Sequence, residues 1–220
     1  MRDDLLKLYH SNKDHRPYRP DPVDAAQRKL KNGALSYLMA IDEPFVRSLG
    51  VSQFENADNM TDSMAALACL VDLDCPEREA ALRDFYTRWQ DDSLVLDKWL
   101  SLQAMSSLPG TLSNVKALLD HPIFSLRNPN KVRALIGAFC TGNQLRFHGE
   151  DSAGYVFLAD QVLTLDDINP QVAARLLAPL GQWRRFDEQR QLAMQGQLSR
   201  ILEKSGLSRD VYEIASKSLD

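Results

Sequence analysis

The segment Asn128-Pro129-Asn130-Lys131-Val132-Arg133-Ala134-Leu135-Ile136-Gly137-Ala138-Phe139 decides how the chain is read, and it reads as a helix. Asn128 carries a side-chain oxygen that can accept a backbone N–H, and a proline follows at the first helical position. The proline's missing N–H is no loss there, because that donor has no intrahelical partner. Apolar residues at helical spacing then run on to Phe139.

Asp21-Pro22 and Asn169-Pro170 repeat the signal, and Cys75-Pro76 repeats the proline without the cap. Asp187 and Ser208 read as caps for the last two helices. The series Val23, Ala26, Leu30, Ala34, Tyr37, Leu38, Ile41 traces one helix face, and Met60, Met64, Leu67, Ala68, Val71 traces another. Further helices are expected over 76–89, 93–106, 111–119, 129–139, 152–166, 169–178, 187–203 and 208–218. Gly110, Gly142 and Gly206 fall between these patterns as terminators. No stretch alternates as a strand does.

The expected fold is all-α, with about ten or eleven short helices whose short connections favour antiparallel neighbours. Helix pairs recurring at roughly 35–45 residues point to a curved, right-handed stack of the HEAT or armadillo kind. No strict repeat accompanies the spacing, so a compact irregular bundle is the alternative. The loop from Ser11 to Pro20, rich in charge, Tyr and Pro, reads as a long connection inside a single domain spanning 1–220.

Composition narrows the function classes. Of 220 residues, 44% are hydrophobic and 25% charged, which suits a folded core. A net charge of −4 gives no electrostatic reason to expect nucleic acid, and the Arg184-Arg185 pair is too short to supply one. No run approaches the roughly 18 apolar residues of a membrane helix, and Met1-Arg2-Asp3-Asp4 does not start a signal peptide. Cys69, Cys75 and Cys140 are odd in number and lack CxxC spacing, which fits a reducing, cytoplasmic setting.

Catalytic chemistry is sparse. His10, His15, His121 and His148 include no i, i+4 pair and no His-Glu pair, so the helical zinc motif of metalloproteases is absent. His148 lies in Phe147-His148-Gly149-Glu150-Asp151, the densest reactive cluster. It reads either as a metal or acid–base site, or as a loop histidine whose neighbouring acids cap the helix starting near Ser152. The lack of a second histidine nearby favours the latter. His121-Pro122 reads as a helix end whose imidazole meets unpaired carbonyls. Cys69 and Cys140 read as inert packing, and Cys75 as the more exposed thiol. Asp91-Asp92, Asp166-Asp167, Glu77 and Glu79 read as solvated acids at helix ends or on polar faces, and Trp89, Trp99 and Trp183 as packing anchors. Arg133 and Arg175 sit inside apolar helical runs. Such an arginine snorkels, pairs with a buried acid, or faces a water-filled cavity.

Several strings go beyond helical pattern. They are Asn56-Ala57-Asp58-Asn59-Met60-Thr61-Asp62, Leu96-Asp97-Lys98-Trp99, the segment from Asn128 to Phe139, Phe147-His148 with Asp151-Ser152-Ala153-Gly154-Tyr155, and Asn169-Pro170-Gln171-Val172-Ala173-Ala174-Arg175-Leu176. In this order and spacing they resemble the C-terminal helical domain of the bacterial aminopeptidase N (alanyl aminopeptidase) branch of the M1 zinc metallopeptidase family. The resemblance runs from about Asp3 to the C-terminus and implies a four-domain exopeptidase. Such an enzyme removes N-terminal residues from peptides, prefers alanine and tolerates many others.

Zinc is held in that family by HExxH and a distant glutamate, and the substrate amine by GxMEN. Neither motif occurs here, so the resemblance assigns this chain no catalytic residue, no metal and no activity of its own. It implies instead a scaffold and lid that closes over the catalytic domain and encloses a chamber admitting small peptides. By position Arg133 and Arg175 match arginines turned toward that chamber, with Gln171 one turn before Arg175. The implied partners are the parent's catalytic and other domains, and peptides through the chamber. The helical domain of the family begins upstream of Met1, so a stack truncated at its N-terminal end is expected to self-associate there. A rival reading is a free-standing helical-repeat protein that binds a peptide or protein on its concave face. A third is an independent hydrolase using His148.

Overall fold

The computed structural model describes residues 1–14 and 16–220; His15 lies outside the described residues. All described regular structure is helical, with no strand, and the chain divides into two compact units, Met1–Gln90 and Asp91–Asp220.

The first unit holds α1 (Arg2–Ser11), α2 (Pro22–Met39), α3 (Pro44–Asn56), α4 (Met60–Val71) and α5 (Pro76–Trp89). Helices pack as pairs, α1 on α2 and α3 on α4, with α4 also meeting α2 and α5. The core is built from Leu35, Leu38, Val46, Phe54, Leu67, Leu70 and Phe85. Asp21 caps α2 by accepting from the Val23 N–H at 2.8 Å, and Pro22 follows at the first position, as the sequence predicts.

Two expectations change here. Helix α2 buries only Ala34 and Leu38 of the predicted face. Val23, Leu30, Tyr37 and Ile41 are 66%, 50%, 72% and 41% exposed, while Lys31, Ala34, Leu35 and Leu38 point inward. The cause is a buried ion pair, in which Lys31 Nζ lies 2.6 Å from Asp62 of α4 and fixes the rotation of the helix. Helix α3 was not expected at all. It buries only Val46, Gly50, Gln53 and Phe54, too thin a stripe to show as periodicity.

Asp62 is the hub of a polar network. Its Oδ2 accepts from Lys31 and from Asn59 Nδ2 at 3.1 Å, and its Oδ1 accepts from Asn32 at 2.9 Å. Its backbone N–H donates to Asn59 Oδ1 at 2.9 Å, the N-cap of α4. Gln53 Nε2 donates to Asn32 Oδ1 and to the Asp62 carbonyl. The polar residues of the 56–62 string thus tie α2, α3 and α4 together.

The second unit begins with α6 (Ser93–Ala104), α7 (Thr111–Leu118) and α8 (Pro129–Val132). Helix α8 runs straight into a π-helix over Arg133–Gly142, followed by α9 (Gln144–Phe147) and α10 (Ala153–Asp166). Then come α11 (Pro170–Leu176), a 3-10 helix over Leu180–Arg185, α12 (Glu188–Leu202) and α13 (Arg209–Leu219). Helix α6 packs on the π-helix, α10 on α11 and α12, and α13 on α11 and α12. The caps at Asn128, Asn169, Asp187 and Ser208 each accept a backbone N–H, as read from the sequence. Gly110 is the N-cap of α7 rather than the terminator of α6, which ends at Ala104.

The expected α-helix over 129–139 becomes π after one turn. In a π-helix each N–H reaches one residue further back, and the looser ladder admits outside groups. Ser101 Oγ of α6 donates to the Ala134 carbonyl at 2.8 Å, and Thr141 Oγ1 donates to the Gly137 carbonyl at 2.7 Å. Both bonds depend on tertiary placement or register, which the periodicity of 129–139 does not show.

Candidate functional site

Gln171 and Arg175 stand one turn apart on α11 and are both exposed, while Ala173, Ala174 and Leu176 of the same helix are buried. Among the described residues the Arg175 guanidinium has no hydrogen-bond or ion-pair partner. It therefore does not pair with a buried acid. Arg133 is also exposed, but its guanidinium folds back on the start of α8, donating to the Pro129 carbonyl at 3.1 Å and to Asn130 Oδ1 at 2.9 Å. The three residues that the sequence singled out are thus all on the surface of the second unit, one tethered and two free-standing.

The same helix row leads to a cavity of about 390 Å³. Ala178 and Pro179 follow Arg175 by one turn and form one wall; Gln182 and Arg185 of the 3-10 helix form the next. Cys140 and Thr141 of the π-helix, with Gln144 of α9, stand opposite, and His148 and Phe186 complete the lining. The His148 ring stacks on Phe186 with centroids 4.2 Å apart and an interplanar angle of 28°. Its Nδ1 lies 2.8 Å from the hydroxyl of Tyr155, a fully buried residue of α10.

The Arg190 guanidinium lies beside the Tyr155 hydroxyl, and the His148–Tyr155 bond can be donated from either side. Burial, with the Arg190 charge beside it, holds the imidazole below the ordinary histidine range, so it is neutral at pH 7. Of the acids near it, Asp151 turns to the start of α10, where its Oδ1 accepts from the Ala153 N–H. His148 is a positioned, neutral imidazole.

Other readings resolve as follows. Cys75 is buried at 9% exposure, not the accessible thiol expected, because the unit's core closes over the start of α5. All three cysteines are free thiols. Burial pushes Cys69 up to about 11 and Cys140 further still, so neither is a thiolate at neutral pH. His121 Nδ1 accepts from the Ile123 N–H, and its ring lies 5.5 Å from that of Trp99. Trp183 Nε1 donates to the Ser218 carbonyl at 2.7 Å and so anchors α13, while Trp89 is 37% exposed. Asp166 is not a solvated acid: it is buried, with Lys204 Nζ and the Ser208 N–H on its Oδ2 at 3.2 Å each. Burial alone would raise its carboxyl, but the bonds from Ser208 and Lys204 outweigh it and hold the group below the usual range.

Among the described residues no three His, Cys, Asp or Glu side chains gather to hold a metal ion, so zinc has no fitting ligand set there. Among the described residues no helix is long and apolar enough to cross a membrane.

Along residues 1–220 the sequence matches the family described as "Domain of unknown function (DUF3458_C) ARM repeats". The chain belongs to this family. ARM repeats agree with the all-helical, pairwise packing of both units. Aminopeptidase N of Escherichia coli (strain K12) is 40% identical over 220 residues, all of this chain and 25% of the relative. Aminopeptidase N of Haemophilus influenzae is 38% identical over 219 residues, again 100% of this chain and 25% of the relative. The crystal structure of Legionella pneumophila aminopeptidase A in complex with aspartic acid superposes with a TM-score of 0.91 at 34% identity, covering 99% of this chain and 26% of that one. The chain therefore spans about a quarter of the length of the relatives it matches.

The sequence reading missed the cavity. Its walls come from separate elements, and Arg185 and Phe186 show nothing locally beyond a basic pair followed by an aromatic. Only His148 carried a visible signal.

Proposed function

We propose that this chain is the non-catalytic C-terminal wall of a zinc-dependent cytoplasmic aminopeptidase that removes N-terminal residues from peptides, alanine first and others broadly. The full-length match to aminopeptidases N, confined to a quarter of their length, supports this reading. The observation that carries the wall role is Arg175, an exposed guanidinium without a partner on a helix whose neighbouring residues are buried. A side chain placed so is free to meet a charge supplied from outside the unit.

The metal and the work on the scissile bond belong to the rest of the enzyme, because the described residues offer no ligand set. The wall encloses the chamber, limits peptide size, and sets the field in which the peptide arrives. An unpaired guanidinium draws in the free carboxylate end of a short peptide over roughly one Debye length, about 8 Å at physiological salt. Gln171 offers a neutral amide one turn away, and Arg133, tethered on α8, adds fixed positive charge.

In the complete enzyme, Arg175→Ala is expected to raise KM for free-acid dipeptides and tripeptides about three- to tenfold with kcat unchanged. C-terminally amidated versions of the same peptides should be unaffected. Equal KM changes for acid and amide, or no change for either, would remove the wall role of Arg175.

A further inference from the structure

We infer that the cavity between the π-helix, α9, the turn after α11 and the 3-10 helix is a binding site for the carboxylate end of a peptide, with Arg185 as its anchor. The inference rests on the peptide-handling role proposed above and adds a contact site to it.

The chemistry of the lining selects the ligand. Arg185 is the single formal charge among the residues that form the walls, and no Asp or Glu lines them. Among the described residues its guanidinium has no hydrogen-bond or ion-pair partner, in contrast to Arg184, which donates to the Ser218 and Leu219 carbonyls and stacks on Trp183. One fixed positive charge suits a monoanion, and a guanidinium suits the planar fork of a carboxylate. His148 adds a second polar group: Tyr155 holds Nδ1, the Phe186 stack fixes the ring, and Nε2 is left for a ligand. Gln144 spends its Nε2 on the Thr141 carbonyl at 2.9 Å, so its Oε1 remains to accept the last peptide N–H. Ala178, Pro179 and Phe186 give an apolar surface for the last side chain. The volume, about 390 Å³, lies in the range of small-molecule sites.

The lining also ranks ligands. An amidated peptide lacks the anion, and a free amino acid brings an ammonium that meets no carboxylate here. The expected order is N-acetylated dipeptide acid first, free amino acid second, dipeptide amide last.

The test is a titration of the 220-residue chain, followed by ¹H–¹⁵N chemical shifts, with N-acetyl-Ala-Phe, its C-terminal amide and free phenylalanine. The acid should give saturable shifts at Gln144, Gln182 and Arg185, with the amide at least about tenfold weaker. Arg185→Gln, an exposed position, should weaken the acid about tenfold and leave the amide unchanged, and Arg184→Gln should alter neither. Equal affinity for acid and amide, an Arg185→Gln chain that binds the acid like the original, or no saturable shift would each overturn the assignment. This readout needs no turnover. Its failure is therefore distinct from failure of the wall reading, which stands on the kinetics of Arg175→Ala.

Discussion

Asp62→Ala should destabilise the first unit by about 3–5 kcal/mol, the cost of leaving a buried ion without its partner. Lys31 and Asp62 are both buried and their charged atoms lie 2.6 Å apart. Removing the carboxylate strands the ammonium and also takes the acceptor away from Asn32 and Asn59. Thermal melting should show a fall of at least about 6 °C. The double variant Lys31→Met with Asp62→Asn should recover about half of the loss, because it removes the stranded charge and keeps an acceptor for one of the two asparagines. A loss under about 1 kcal/mol for Asp62→Ala would mean that water reaches the pair and that the network does not set the rotation of α2.

Gly154→Ala carries the second large effect, and its sign runs against helix propensity. Alanine in a helix is ordinarily better than glycine by roughly 0.5–1 kcal/mol. At Gly154, however, a Cβ would sit 2.3 Å from the Phe147 carbonyl oxygen and 2.9 Å from its C and Cα, all backbone atoms that cannot swing aside. The start of α10 must then move away from Phe147, carrying Tyr155 off His148. We expect a loss of about 3 kcal/mol or more, at the upper end of overpacking costs. Gly33→Ala in α2, where nothing lies within 4 Å of the added atom, should instead stabilise by about 0.5–1 kcal/mol. Urea melts of the two variants shifting in the same direction would contradict this account of Gly154.

What the sequence revealed and what it hid follow one physical division. Caps at Asp21, Asn128, Asn169, Asp187 and Ser208 were legible because each is a bond between a side chain and a backbone N–H two or three residues on. The facing of α2 was not, because Val23, Leu30, Tyr37 and Ile41 keep helical spacing although the ion pair at Lys31 turns them outward. The π-register was hidden because Ser101, on another helix, supplies one of its bonds. At the candidate site, Arg133, Gln171 and Arg175 were marked by resemblance and by their apolar surroundings. Arg185 and Phe186 could not be, since only the tertiary fold brings them to His148 and Gln144.

The central claim is that the exposed face of α11 lines an enclosed chamber in the complete enzyme. Thiol labelling of a Gln171→Cys variant of that enzyme tests it most directly, with the unsubstituted enzyme run in parallel. A small methanethiosulfonate should react there and stop peptide hydrolysis, while a polyethylene-glycol maleimide too bulky for the chamber should leave the thiol and the activity intact. Equally fast reaction with both reagents, or modification without loss of activity, would contradict the claim.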